Sequence, residues 1–112
     1  MSASDEDRRK TERKSLRTRA TVILGQTQAF EVRTLDVSAG GMAIVAQANP
    51  PPGVVLGIRF MFPLKPSGYA PFEARARVVH SVFSSAESGF KVGLSFIDLP
   101  SDAAATIAKY LA

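Results

Sequence analysis

Two short groups of polar residues in this sequence could together hold a charged, planar ligand. The first is the basic stretch Arg8–Arg13, RRKTER, and the second is the turn Leu35–Gly41, LDVSAGG. Guanidinium groups bind phosphate and the O6 and N7 edge of guanine bidentately, and they stack on flat rings. Asp36 and Ser38, two residues apart at a strand end, should project to one side, while Gly41 would let a ligand approach the backbone closely. Because a carboxylate accepts from the N–H groups of guanine, one ligand containing guanine and phosphate would satisfy both stretches.

Each stretch also has a simpler interpretation when it is taken alone. A basic segment is commonly a solvated arm or a non-specific grip on polyanions. An Asp-x-Ser-xx-Gly stretch is common turn chemistry, in which the polar side chains bond nearby backbone and glycine supplies an unusual φ. The two stretches in one chain favour the ligand site over these alternatives.

The sequence argues against catalysis and against a metal or cofactor. It contains one histidine, no cysteine and no glycine-rich phosphate loop. Its acidic residues are scattered, so neither a metal cluster nor a pair of catalytic carboxylates can be read from their spacing. We therefore predict a protein that is not an enzyme, with no catalytic residue, no metal and no cofactor.

The positive charge lies almost entirely at the N-terminal end. Residues 1–19 carry seven basic and four acidic side chains, whereas the remainder of the chain has seven and six. The first 16 residues are also nearly devoid of apolar side chains, so they cannot offset the entropy lost on ordering. We predict a flexible basic tail over residues 1–18 and a folded domain over residues 19–112. No apolar run approaches the roughly 20 residues that span a bilayer, so we expect no membrane span and a cytoplasmic protein.

Short stretches rich in Val, Ile, Phe and Thr, separated by Gly, Pro, Ser and Asn, predict a mostly β domain. The apolar alternation changes phase near Thr34, which predicts a bulge there. A change of period after Pro100 predicts a C-terminal helix capped by Ser101. Six strands are predicted: Arg19–Leu24, Ala29–Val37, Met42–Ala46, Val54–Phe62, Phe72–Val78 and Gly89–Phe96.

These elements indicate an all-β fold, a six-stranded and mainly antiparallel barrel with a C-terminal helix. Closure of the sheet removes exposed edges, and the helix, marginal by itself at about 11 residues, must dock on the barrel. Phenylalanines 60–96 follow the buried parity and are predicted to lie in the core. Strict alternation from Val78 also predicts an inward-facing His80.

The motifs in this order resemble the PilZ domain family, the bacterial receptor module for cyclic di-GMP. The likeness rests on Arg9-xxx-Arg13 ahead of the β domain and on Asp36-x-Ser38-xx-Gly41 after its second strand. It extends over nearly the whole chain, to the last-strand stretch VGLSFIDL. The resemblance implies a PilZ-like barrel preceded by a flexible tail that carries the Arg-xxx-Arg motif.

The resemblance also implies the ligand and its contacts. Arg9 and Arg13 would clamp guanine and phosphate from the flexible side, against a fixed wall of Asp36, Ser38 and Gly41. A basic residue at the position of Arg8 resembles family members that take up two stacked ligand molecules, and His80 falls where relatives often place a side chain against a guanine. The predicted cyclic di-GMP contacts are Arg8, Arg9, Arg13, Asp36, Ser38, Gly41 and His80.

The function predicted from the resemblance is a cyclic di-GMP receptor or adaptor. Its tail would order on the barrel when the nucleotide binds, and the changed surface would act on a downstream effector protein in motility, biofilm, exopolysaccharide or virulence control. Two alternatives stay open. One is a small β-barrel that binds single-stranded nucleic acid, which would need exposed aromatic side chains with basic residues between them. The other is a PilZ-like protein-interaction adaptor that works without cyclic di-GMP.

Overall fold

Seven strands and one helix make up residues 12–112, the part of the chain that this computed structural model describes. The predicted strands are all present, preceded by a two-residue strand that was not anticipated from the sequence. The elements are β1 (Lys14–Ser15), β2 (Arg19–Leu24), β3 (Gln28–Val37), β4 (Gly41–Ala46), β5 (Val55–Pro63), β6 (Tyr69–Ser84), β7 (Gly89–Ile97) and α1 (Ser101–Leu111).

The strands close into an antiparallel barrel. In the part of the chain described, the sheet runs β1-β3-β2-β5-β6-β7-β4. An additional pairing of β3 with β4 closes the six longer strands into a ring, and β1 adds to β3. The ladders are all antiparallel. The predicted six-stranded barrel with a C-terminal helix is therefore confirmed.

The predicted bulge in β3 is also confirmed. Thr34 pairs with Ile44 of β4, but the next pair along the ladder joins Asp36 to Ala43. The intervening Leu35 is thus an extra residue on the bulged strand. The bulge separates the half of β3 that pairs with β2 from its last residues, which pair with β1 and β4.

Side chains of alternating strands fill the barrel interior. Strand β6 alternates cleanly between buried apolar and exposed charged residues from Phe72 to Val78, because successive side chains of a strand point to opposite faces. Three phenylalanine rings form a cluster with centroids 4.9 to 5.5 Å apart. The cluster consists of Phe60, Phe62 and Phe72.

Helix α1 packs on this core through Ala103 and Ile107, both of which are buried. The predicted N-cap at Ser101 was wrong. Pro100 occupies the cap position and makes no side-chain hydrogen bond, while the Asp102 carboxylate accepts from the Ala103 N–H at 2.9 Å. A carboxylate in the first turn is also favoured by the helix dipole, so Asp102 stabilises the start of α1 in place of a capping hydroxyl.

The residues just before β2 lie against the barrel. Strand β1 pairs Lys14 with Val37 and Ser15 with Asp36. Leu16, the one large apolar residue in this part of the sequence, is only 3% exposed and joins the barrel core. We call residues 13–18 the strap; the predicted boundary between a flexible tail and the domain at residues 18 and 19 stays a prediction.

Candidate ligand-binding site

The strap brings Arg13 onto Asp36. The Arg13 Nη1 and Asp36 Oδ1 atoms are 2.5 Å apart, and the side chains remain 48% and 31% exposed. Arg13 directly precedes β1, and Asp36 follows the bulge of β3 opposite Ser15. Arg13, the second arginine of the Arg-xxx-Arg motif, thus contacts Asp36, the first residue of the Asp-x-Ser-xx-Gly motif. Both side chains remain accessible to solvent.

Hydrogen bonds to β3 hold the strap behind Arg13. The Leu16 N–H donates to the Leu35 carbonyl at 3.0 Å, and the Thr18 N–H donates to the Thr34 hydroxyl at 2.9 Å. The Thr34 hydroxyl in turn donates to the Leu16 carbonyl. Thr34 is 1% exposed. Its hydroxyl is therefore a buried hydrogen-bond partner for two main-chain groups of the strap, the Thr18 N–H and the Leu16 carbonyl.

Ser38 and Gly41 close the turn between β3 and β4. The Ser38 hydroxyl lies 3.2 Å from both the N–H and the carbonyl oxygen of Gly41, and the Ser38 N–H donates to the same carbonyl at 2.8 Å. Ser38 is 4% exposed. In this structure the hydroxyl therefore fixes the shape of the turn.

Gly41 is required by the pairing of β4 with β7. A Cβ atom at this position would overlap with the carbonyl oxygen of Leu94, a backbone atom that cannot move aside easily. That Gly41 also lets a ligand approach the backbone stays a prediction. The structure gives Gly41 a packing role that holds whether or not a ligand binds.

His80 faces outward, contrary to the alternation expected from Val78. The β6–β7 register shifts between Val78 and His80, so Val79 is an extra residue and the alternation restarts one position later. His80 then pairs with Gly93, whose missing side chain leaves room for the imidazole; a Cβ on Gly93 would lie 2.8 Å from Nδ1. The prediction of an inward His80 was wrong because the sequence gives no sign of this second bulge.

A single groove of about 290 Å³ gathers four of the predicted contacts. We call it the ligand groove, and three residues of β7 also line it. A second groove of about 350 Å³ contains Asp36 and shares Arg13 with the first. Two other cavities, of about 830 and 490 Å³, contain none of the predicted contacts. The four predicted contacts that line the ligand groove are Arg13, Ser38, Gly41 and His80.

Arg8 and Arg9 lie outside the described residues. Arg13, the one arginine of the Arg-xxx-Arg motif that lies among the described residues, lines the ligand groove. Five of the seven predicted contacts are therefore within or next to one pair of grooves.

The second groove is bordered by charges that the sequence motifs do not include. Arg17 faces Glu87 with Nη2 and Oε2 3.3 Å apart, and this hydrogen bond holds the pKa of the Glu87 carboxyl below its usual value. Lys14 lies near Lys65, which lowers the pKa of the Lys14 ammonium. Lys91 also lines this groove. Arg17 and Glu87 are 70 positions apart in sequence, so the closed barrel is needed to bring the two sides of this groove together.

The part of the chain that the structure describes contains neither a metal cluster nor a membrane-spanning helix. From residue 12 onward, no group of three or more His, Cys, Asp or Glu side chains is arranged to hold a metal ion. The helix within this range is too short to cross a bilayer.

Comparison with known families agrees with this geometry. A sequence profile of the PilZ domain matches residues 7–112. The chain belongs to the PilZ domain family. Members of the family are ligand-binding receptor or adaptor modules rather than enzymes, as expected for this chain from its sequence. A comparison with curated protein sequences finds no match.

Solved structures similar to this PilZ domain share its fold at low identity. The inhibitor of motility MotI/DgrA of Bacillus subtilis gives a TM-score of 0.76 at 16% identity, over 88% of this chain and 47% of that one. The PlzA protein of Borreliella burgdorferi, solved in complex with c-di-GMP, gives 0.61 at 16% identity, over 98% and 38%. The PilZ domain of CeSA from a cellulose-synthesizing bacterium gives 0.61 at 16% identity, over 90% and 95%. The chain thus spans less than half of the first two proteins and nearly all of the third.

Proposed function

We propose that this PilZ domain is a cyclic di-GMP receptor that passes the signal to a partner protein in the cytoplasm. The observation that carries the proposal is the contact of Arg13 with Asp36 beside the ligand groove. One residue from each motif meets there, and a partly exposed guanidinium and carboxylate offer a guanine base and a phosphate their complementary groups. The PlzA complex supports the same ligand.

Binding requires that the Arg13–Asp36 pair rearrange. In the structure the Arg13 guanidinium donates to the Asp36 carboxylate. This hydrogen bond must break before the carboxylate can accept from guanine N–H groups. The pair is partly solvated, so its net contribution is on the order of 0–1 kcal/mol. Charge-assisted hydrogen bonds to a ligand contribute roughly 1.5–3 kcal/mol each, so exchanging the pair for ligand contacts is favourable.

The other predicted contacts have distinct proposed roles. Ser38 and Gly41 fix the turn that carries the wall of the groove, and His80 borders its opposite side over Gly93. Arg9 would clamp the ligand from the tail, and Arg8 would hold a second stacked molecule. Each tail residue that a ligand had to order would oppose binding by about 1–2 kcal/mol of backbone entropy, so contacts from tail and wall must form together.

Exposed apolar side chains on β6 support contact with a partner. Val79, Val82 and Phe83 are 55%, 56% and 65% exposed. Phe83 was predicted in the core, but it lies on the surface close to the turn between β6 and β7, where it pairs with Phe90 with ring centroids 5.6 Å apart. Val79 also lines the ligand groove, so ligand binding and this exposed stretch share a residue. We propose residues 79–83 of β6 as the surface that a downstream effector of motility, biofilm, exopolysaccharide or virulence control would read.

Isothermal titration calorimetry tests the proposed ligand. We expect cyclic di-GMP to bind more tightly than GMP or cyclic di-AMP. Arg13→Ala and Asp36→Ala should each weaken binding by at least about tenfold, which corresponds to the loss of one charge-assisted hydrogen bond. Arg75→Ala, an exposed arginine on β6 outside both grooves, should bind as the unmodified chain does.

The same titration separates the alternatives. Binding that ignores guanine and falls steeply with salt would favour a single-stranded nucleic acid ligand. No binding of any nucleotide would leave the protein-interaction adaptor. A melting temperature that dropped sharply in Arg13→Ala or Asp36→Ala would mean that these residues support the fold rather than the ligand.

A further inference from the structure

Tyr110 contacts the strap from the far end of the chain. Its hydroxyl donates to the Ser15 carbonyl at 2.5 Å, and its own main-chain carbonyl accepts from the Lys14 ammonium at 2.8 Å. The same ammonium lies 4.7 Å from the centroid of the Tyr110 ring, within the range of a cation–π interaction. Three separate contacts therefore join the last turn of α1 to both residues of β1.

The position of Tyr110 is itself fixed by the barrel core. Its ring packs edge-on against Phe62 with centroids 5.1 Å apart and an interplanar angle of 80°. Phe62 is fully buried, and the preceding turn of α1 buries Ile107. Tyr110 thus offers the strap an anchor whose ring cannot follow the strap if it moves away.

Strand β1 has little pairing of its own. Its ladder with β3 consists of two residue pairs, and the second pair joins Ser15 to Asp36. Tyr110 donates to the carbonyl of this same Ser15, and Arg13, two residues earlier, forms the ion pair with Asp36. The register of β1 sets where the Arg13 side chain begins, so a contact that fixes β1 also fixes the point from which Arg13 reaches the ligand groove.

We propose that Tyr110 is a positioning residue for the ligand site. It pre-orders β1 and so lowers the entropy that Arg13 loses when it engages a ligand. The inference rests on the proposed binding of cyclic di-GMP. It adds to the site a residue about 97 positions from Arg13 that belongs to neither sequence motif. A chain without this contact would keep every ligand contact and still bind less tightly, because β1 would be less well ordered before binding.

The test uses the two tyrosines of the chain as a matched pair. Tyr110→Phe removes the hydroxyl and keeps the ring, whereas Tyr69→Phe removes the hydroxyl of a tyrosine that is 68% exposed. Calorimetry should give about fivefold weaker cyclic di-GMP binding for Tyr110→Phe, which corresponds to the net contribution of one neutral hydrogen bond. Tyr69→Phe should bind as the unmodified chain does.

Amide hydrogen exchange of the ligand-free protein supplies a local readout. In Tyr110→Phe the Leu16 amide, bonded to Leu35, should exchange about fivefold faster, while the Val78 amide, bonded to Val54, should be unchanged. Equal acceleration at both amides would show general destabilisation and overturn the positioning role.

Failure of the inference can be told apart from failure of the proposed function. If the unmodified chain binds cyclic di-GMP and Tyr110→Phe binds it equally well, the positioning role is wrong and the receptor function stands. If the unmodified chain does not bind cyclic di-GMP, the receptor function is wrong and the inference falls with it.

Discussion

Replacement of Gly41 by alanine separates the packing role of this residue from a role in ligand approach. A Cβ at position 41 would overlap with the Leu94 carbonyl oxygen and approach the carbonyl carbon to 3.1 Å. Because these are backbone atoms of the paired strand β7, relief requires β4 and β7 to separate locally. Gly57 in β5 is the matched control, since a methyl group added there would have Ile23 Cβ as its nearest neighbour at 3.8 Å, an ordinary contact.

The two substitutions should differ in their effect on stability. Overpacking typically destabilises by about 1–3 kcal/mol, and we expect Gly41→Ala at the upper end because no side chain can yield. Such a loss corresponds to a fall in melting temperature of more than about 10 °C for a domain of this size. Gly57→Ala should be neutral or stabilise by up to about 1 kcal/mol, because alanine loses less backbone entropy on folding than glycine.

Urea denaturation followed by circular dichroism measures both free energies of unfolding. The ligand-free protein is used, so that any effect on binding is excluded. If Gly41→Ala unfolds at the same urea concentration as Gly57→Ala, the conclusion that Gly41 is needed for the close approach of β4 to β7 is wrong. A role of Gly41 in ligand approach alone would then be favoured.

Two further predictions concern the strap and the groove beside it. Thr34→Val should lower the free energy of unfolding by about 1–3 kcal/mol, because two main-chain groups of the strap lose their buried partner. Thr106→Val in α1 should change it little, because the hydroxyl there donates to the Asp102 carbonyl at a site exposed to water, and equal losses would contradict the role of the Thr34 hydroxyl. The hydrogen bond from Arg17 lowers the pKa of Glu87 in the folded state, so its stabilising effect is present above the ordinary glutamate pKa of about 4.3 and is lost as the pH falls through the lower folded value. The stability difference between the unmodified chain and Glu87→Gln should therefore shrink over that acidic range, and a difference that does not depend on pH would refute it.

Most of the barrel follows from local patterns in the sequence. Side chains of a strand alternate between its two faces with a period of two residues. This period predicts the alternation from Phe72 to Val78, and its interruption near Thr34 predicts the bulge; both are found as predicted. The bulge at Val79 leaves no such trace, because no charged residue marks the outer face between Val78 and Ser84. That missing marker is why His80 was placed on the wrong side.

The strap could not be predicted from local pattern. Strand β1 is two residues long and polar, and its one apolar neighbour, Leu16, stands among charged residues in the sequence. Its order depends on Thr34 and Tyr110, which come from distant parts of the chain. Such contacts require the closed barrel, so the sequence supports only the weaker prediction of a polar tail.

The site motifs predicted the location more reliably than the role of each residue. Arg13 and Asp36 meet as two halves of one site should. The Ser38 hydroxyl bonds to the Gly41 main chain, and Gly41 leaves room for the paired strand β7. Both residues therefore serve the fold itself. A motif records which residues are required, but only the geometry distinguishes residues that contact a ligand from residues that shape the wall behind it.

The most direct measurement of the receptor function is a calorimetric titration of the full chain with cyclic di-GMP at low ionic strength, beside Arg13→Ala. We expect saturable heat for the unmodified chain and its loss in the variant, with both proteins folded. Absence of heat from the unmodified chain, or equal heat from the two proteins, would contradict the receptor function.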